Sequence, residues 1–161
     1  GLAVGQHGLM GKQNVYEHSV GVPLMIKAAA QHTGKKTADL CYLIDVFPTL
    51  CDMLQLPVPQ SVDGISLLSS LDGKEPVRDY LYYSYMDNQR GISDGTWKLI
   101  EYHVNGKRTT QLFNLKNDPW ERNDLSGQKK YEKTIQRLRE KMAEEQKRTN
   151  DTSVFWNNFS Y

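Results

Sequence analysis

The sequence predicts an α/β fold in which a segment of mixed helix and strand leads into a small four-stranded antiparallel sheet packed on a C-terminal helix. Three observations carry this expectation. Residues 22–26, Val-Pro-Leu-Met-Ile, form a nearly continuous apolar run of strand length. From Asp79 onward, runs rich in tyrosine and tryptophan alternate with turn residues, and Asn105-Gly106 separates two of them. Beyond Gln128, the residues Tyr131, Ile135, Leu138 and Met142 recur as one stripe of an amphipathic helix.

Taken in order, residues 1–12 hold glycines at positions 1, 5, 8 and 11, a density suited to a tight loop that brings backbone close to a ligand. Residues 22–26 read as a strand buried on both faces, with Pro23 tolerated near its start, followed by a polar loop over residues 31–37. Leu40 to Ile44 is apolar again. Asp45 is placed as the N-cap of a helix with Pro48 in its first turn. That helix is expected to reach Leu54, to bury Phe47, Leu50, Cys51 and Leu54, and to stop before Pro57 and Pro59. Residues 62–71 suggest a short, partly helical turn.

The pattern changes near Pro76, which divides the chain into residues 1–76 and 77–161. Strands are expected at residues 79–86, 90–93, 97–104 and 109–115, and Asn105-Gly106 signals a type I′ hairpin turn. Asn117-Asp118-Pro119 is a turn, and the stripe from Tyr131 should pack on the sheet. Phe155, Trp156 and Phe159 make the tail too apolar for a free end, so it is expected to dock on a larger body. The tyrosines at 80, 82, 83 and 85 read as strand and core residues before they read as a sugar platform.

Composition narrows the function. Charges nearly balance, with 20 Lys and Arg against 19 Asp and Glu, and the 39% hydrophobic content excludes disorder, collagen and a disulfide scaffold. No apolar run approaches the ~18 residues of a membrane span. Residues 128–148 carry a local excess of four positive charges but only Tyr131 among aromatics, which fits a solvated helix face and no nucleic-acid partner. Cys41 and Cys51 sit in apolar stretches without a neighbouring Lys, Arg or His, and read as inert core thiols.

Chemistry concentrates in residues 5–23, where four glycines, two histidines, a lysine and a glutamate fall within 19 residues. Glycines let backbone N–H groups approach an oxyanion, and Lys12 supplies a compact positive charge for phosphate or sulfate. His7 has two readings, a histidine bonded to loop backbone or one that touches substrate or leaving-group oxygen. Glu17 and His18 do not form a metal pair if the segment is extended, because adjacent side chains then diverge. Glu17 is read as a residue that orients the loop, and His18 as one that faces the substrate pocket.

The run Gly1-Leu2-Ala3-Val4-Gly5-Gln6-His7-Gly8-Leu9-Met10-Gly11-Lys12, then Tyr16-Glu17 and Val22-Pro23-Leu24, resembles the C-terminal active-site loop of type I sulfatases of the alkaline phosphatase superfamily. Asp45-Val46-Phe47-Pro48-Thr49-Leu50, Leu56-Pro57, Asp63-Gly64, Gly95-Thr96-Trp97-Lys98-Leu99-Ile100, Leu112-Phe113-Asn114-Leu115 and Asp118-Pro119-Trp120-Glu121 extend the likeness to about Leu125.

The resemblance implies that residues 1–76 end a sulfatase α/β domain and residues 77–161 form its C-terminal subdomain. It implies a parent enzyme that hydrolyses sulfate esters of small molecules or glycans, in the periplasm or outside the cell. Lys12 then matches the lysine that grips the sulfate, with His7 as a further catalytic residue and His18 on the substrate. The calcium ligands, an Asp followed by His or Asn, and the Cys or Ser that becomes formylglycine belong to sequence upstream of Gly1. The natural N-terminus and any export signal are expected there too. The chain alone is then expected to be inactive, with apolar surface that invites non-native dimers. Two alternatives accompany this reading: a phosphate or phosphonate ester hydrolase of the same superfamily, and a non-catalytic carbohydrate-binding or interaction module.

Overall fold

A computed structural model describes residues 1–27, 34 and 36–153. Two compact units emerge, one made of Gly1–Pro23 with the chain from Tyr82 onward, the other of Leu24–Leu81. The composition change at Pro76 falls inside the second unit.

The first unit opens with a two-stranded hairpin, β1 (Ala3–Val4) and β2 (Met10–Gly11), followed by a one-turn helix α1 (Glu17–Val20). In the second unit lie α2 (Val46–Met53) and α3 (Leu68–Leu71). The sheet follows as β3 (Leu81–Tyr85), β4 (Gln89–Ser93), β5 (Trp97–Val104) and β6 (Lys107–Asn114), in sequential order and, from β4 to β6, antiparallel. The helix α4 (Glu132–Arg148) completes the first unit. None of the helices among the described residues is long and apolar enough to cross a membrane.

The sheet matches its expectation closely. Asn105 and Gly106 both take positive φ, 51° and 73°, as a type I′ turn demands, and the register places Val104 opposite Lys107. That register pairs Lys98 with Phe113, Leu99 with Leu112 and Ile100 with Gln111. Alternation then sorts the sheet into two faces.

On one face, Leu99, Glu101 and Thr110 meet α4, where Arg139 donates to Glu101 Oε1 at 2.7 Å and to Thr110 Oγ1 at 2.9 Å. The helix turns Ile135, Leu138 and Met142 inward, the predicted stripe, and all three are buried. On the other face, Ile100 and Phe113 join Val15 and Tyr16 in a second core cluster. Because both faces are covered, residues 98–101 are buried without a break. Gly91 permits the close approach of the N-terminal segment, since a Cβ there would meet Tyr83 at 3.3 Å and Val15 at 3.5 Å.

Two expectations need correction. Residues 22–26 form no strand: Val22, Leu24 and Met25 are exposed, Met25 by 92%. A strand buried on both faces needs a partner on each side, and the described residues provide none. The helix α2 forms where expected and buries Cys51 as expected, but its other buried residues are Pro48 and Thr49, while Phe47 and Leu50 are exposed and Leu54 is exposed just beyond it.

Polar anchors set that orientation. Thr49 Oγ1 donates to the Asp45 carbonyl at 2.6 Å and accepts the Leu67 N–H at 2.8 Å. The Asp45 carboxylate caps the preceding turn rather than α2, accepting the Tyr42 N–H at 2.7 Å, the Ile65 N–H at 2.8 Å and the Arg78 guanidinium.

The tyrosines behave as core residues: Tyr82 is buried, and Tyr83 and Tyr85 pack on the second cluster. Cys51 is buried and Cys41 half-buried, and burial raises the Cys41 thiol, in keeping with inert thiols. Most of the polar loop over residues 31–37, and Phe155, Trp156 and Phe159 of the tail, lie outside the described residues.

Leu138 is fully buried between α4 and the sheet. Leu138→Ala should cost this chain about 2–5 kcal/mol in urea unfolding. A loss under ~0.5 kcal/mol would mean that the stripe does not hold the helix.

Candidate functional site

The glycine-rich loop closes on itself. Between β1 and β2, the Gly5 N–H donates to the Leu9 carbonyl, Gly8 N–H to Gly5 and Leu9 N–H to Gln6, at 2.9, 3.1 and 2.9 Å. These three amides are engaged within the loop, so they do not form the open anion cradle that the glycines suggested. The loop instead presents side chains. At its tip His7 sits in the left-handed region at φ 55°, a conformation costly for a residue with a Cβ.

Two contacts hold His7 there. Its ring stacks on Tyr16 with centroids 4.0 Å apart and planes 4° from parallel. Its Nε2 lies 3.1 Å from the Trp120 carbonyl, which only accepts, so Nε2 carries a proton and donates. Of the two readings of His7, the backbone bond is present, although its partner is 113 residues away rather than in the same loop. Tyr16 is itself anchored by its hydroxyl, which donates to Gln111 Oε1 of β6 at 2.6 Å, and by the edge of Phe113.

His18 joins the same stack, with ring centroids 5.5 Å from His7 and 5.7 Å from Tyr16. Its Nε2 is enclosed without a hydrogen-bond partner. Burial, then the neighbouring charges of His7 and Lys98, depress its pKa below 6.5. Glu17 and His18 do diverge, although they stand on the short helix α1 rather than on extended chain. Glu17 turns to the sheet and His18 to a cleft.

That cleft measures about 430 Å³ and is lined by Gln6, His7, His18, Pro119, Trp120, Glu121 and Arg122. The volume lies in the ~300–1,000 Å³ range of small-ligand sites. Lys12 is exposed, one residue past β2, and is not among the lining residues. Geometry therefore brings His7 and His18 together at the cleft and leaves Lys12 exposed outside its lining.

Beneath the cleft lies a buried charge cluster that the sequence did not reveal. Lys98 of β5 is fully buried, and its Nζ lies 2.8 Å from Glu17 Oε1 and 3.1 Å from Glu121 Oε1, over the ring of Tyr83. Glu121 Oε2 also accepts the Glu17 N–H at 2.6 Å. Burial pushes the Glu121 carboxyl upward, while Lys98 and the Glu17 amide oppose that shift. Tyr16, Lys98, Trp120 and Glu121 all fall in motifs quoted above. Their roles were invisible because each depends on a partner about 80 to 110 residues away.

Among the described residues, no group of three or more His, Cys, Asp or Glu side chains is placed to hold a metal ion.

A family model described as "N-sulphoglucosamine sulphohydrolase, C-terminal" matches residues 5–148. An N-acetylglucosamine-6-O-sulfatase of Bacteroides thetaiotaomicron is 29% identical over 94% of this chain and 29% of its own length. A solved structure in complex with its substrate, D-glucosamine-2-N,6-O-disulfate, has a TM-score of 0.59 at 29% identity, over 67% of this chain and 24% of that one. The phosphonate monoester hydrolase of Silicibacter pomeroyi shares the fold at a TM-score of 0.73 and 22% identity, over 92% of this chain and 33% of that one. The chain thus spans under a third of the length of each of these proteins.

Two measurements test the site. Its depressed pKa makes His18 bind a proton later in the folded than in the unfolded chain. Stability present above pH ~6.5 should therefore fall as the pH drops from there through the folded value. NMR should show His18 titrating below 6.5, and His18→Gln should flatten the melting-temperature profile over that window; titration at or above 6.5 would contradict the enclosure. Lys98→Met strands two carboxylates and should cost about 3–5 kcal/mol in chemical unfolding, with partial recovery in the double variant with Glu121→Gln.

Proposed function

Because the chain belongs to the N-sulphoglucosamine sulphohydrolase C-terminal family, we propose that it is the C-terminal part of a sulfatase that hydrolyses sulfate esters of sugars. The observation that carries this reading is the cleft in which the glycine-rich hairpin and α1 bring His7 and His18 together. His7, with Nε2 donating to Trp120, directs its other ring nitrogen elsewhere. His18 is held neutral near pH 7, which suits an imidazole that accepts or donates a hydrogen bond at a substrate oxygen. Lys12, exposed on the same hairpin, is assigned to an oxygen of the sulfate, where an ammonium offsets charge that grows as the S–O bond breaks.

A sulfated sugar as substrate agrees with the N-acetylglucosamine-6-O-sulfatase relative and with the disulfated glucosamine bound in the similar structure. On this reading calcium and the formylglycine nucleophile belong to polypeptide outside these 161 residues, the enzyme works in the periplasm or outside the cell, and the chain alone has no turnover. The apolar row of Leu43, Phe47, Leu50 and Leu54 supports the same view, since so exposed a helix face suits contact with further protein.

The test uses the full-length enzyme. Lys12→Ala should lower kcat for a sulfate ester by about 10²–10³. Unchanged turnover removes Lys12 from the mechanism, and a preference for a phosphate over a sulfate ester in direct competition overturns the sulfatase reading.

A further inference from the structure

Three charges lie beneath the cleft, and two of them are negative. Lys98 is the single ammonium between the carboxylates of Glu17 and Glu121, so the cluster is left with a net negative charge when all three groups are ionised. The two carboxylates are not equivalent. Glu121 is 2% exposed and sits at φ 54° in a turn closed by its own N–H, which donates to the Asp118 carbonyl at 3.1 Å. Its Oε1 is enclosed, with the ammonium near it but no hydrogen bond made to it. The Glu17 side chain is 33% exposed and belongs to α1, a single helical turn.

The surroundings do not supply the missing positive charge. On the sheet, the cluster meets the ring of Tyr83, 5.1 Å from Lys98 Nζ, and Tyr102, which burial keeps neutral. Asp124 lies near Tyr102 and is occupied by the Leu112 N–H. From α1, His18 faces Lys98 as a neutral imidazole stacked on His7. In the turn, Arg122 is exposed and lies near Asp118. Among the described residues the cluster thus has one buried cation for two carboxylates. A proton on Glu121, the better sealed of the two, removes the excess charge at the least cost in lost hydration.

We infer that Glu17, Lys98 and Glu121 form a proton-operated latch on the cleft. With Glu121 protonated, the ammonium belongs to Glu17 and α1 is held to β5. With Glu121 ionised, the two carboxylates compete, and Glu17, the one with a route to water, lets go. Because α1 carries His18, its release loosens one wall of the cleft, while the turn stays fixed by the bond from Glu121 to Asp118 and by Asp118 Oδ2, which accepts the Asn123 N–H at 2.8 Å. The only bond made or broken is the O–H of Glu121, whose proton comes from water and returns to it.

Linkage sets the direction. Burial raises the Glu121 carboxyl in the closed arrangement, so closure is favoured below the ordinary value of 4.5 and the advantage is lost as the pH rises through the raised one. His18 works in the opposite sense, because its pKa is lowered and closure weakens as the pH falls through that value. The latch holds whatever ester the parent enzyme cleaves.

The test follows hydrogen exchange of the Ser19, Val20 and Gly21 amides, which close α1 onto Tyr16 and Glu17. Peptides spanning residues 15–23 of the full-length enzyme are compared from about pH 5 to about pH 8, with exchange corrected for its intrinsic pH dependence and His18→Gln as the background that removes the opposing titration. Protection should fall with rising pH by about tenfold for each pKa unit that separates Glu121 in the closed and open arrangements. Glu121→Gln should keep α1 protected throughout, and Glu17→Gln should leave it unprotected throughout, while peptides from β5 report that each variant is folded.

A pH-independent protection of α1 in the parent background overturns the latch. So does a fall that persists in Glu121→Gln, or a Glu17→Gln variant in which α1 stays protected. Should Glu121→Gln fail to fold, the Glu17→Gln comparison decides between the same two outcomes.

Discussion

The ammonium of Lys98 is the point on which the first unit turns. It stands on the central part of the sheet with no access to water, between one carboxylate from α1 and another from the turn after β6. A cation in that place is tolerable only with partners at hydrogen-bond distance, and the partners are tolerable only because of the cation. The consequence is geometric. Two segments about a hundred residues apart are drawn to one strand, and the cleft is the gap left between them. Lys98 thereby bears on His18 through α1, which carries it, and on His7 through the Trp120 carbonyl that accepts its Nε2–H.

Much of the sheet was legible in the sequence because its signals are local. Asn105-Gly106 specifies a turn by conformation alone, and the heptad-like spacing from Tyr131 specifies one buried face. Residues 22–26 and α2 misled for a shared reason. An apolar run says that a segment seeks cover, but not whether the described residues supply it. In α2 the interior was chosen by Thr49 and by the Asp45 network, polar groups that hydrophobic periodicity does not count.

The candidate site was half legible. Glycines and histidines drew attention to the hairpin that lines the cleft, and Glu17, read as a residue that orients the loop, ties α1 to Lys98 of the sheet. What the spacing could not reveal was that the loop amides close on one another, or that Tyr16 would serve as the surface on which both imidazoles lie. Aromatic stacking and buried charge pairs are long-range facts, and neither leaves a fixed interval in the chain.

On the far side of the sheet, α4 is fastened in its first half and just past its end. Arg137 binds Asp94 in the loop before β5, Arg139 binds Glu101, and Asp151 just past the helix takes Arg90 of β4 and the Tyr82 hydroxyl of β3. A rod pinned at three stations works as a splint. Twisting the sheet would strain these pairs, so α4 braces the face of the sheet opposite Ile100 and Phe113.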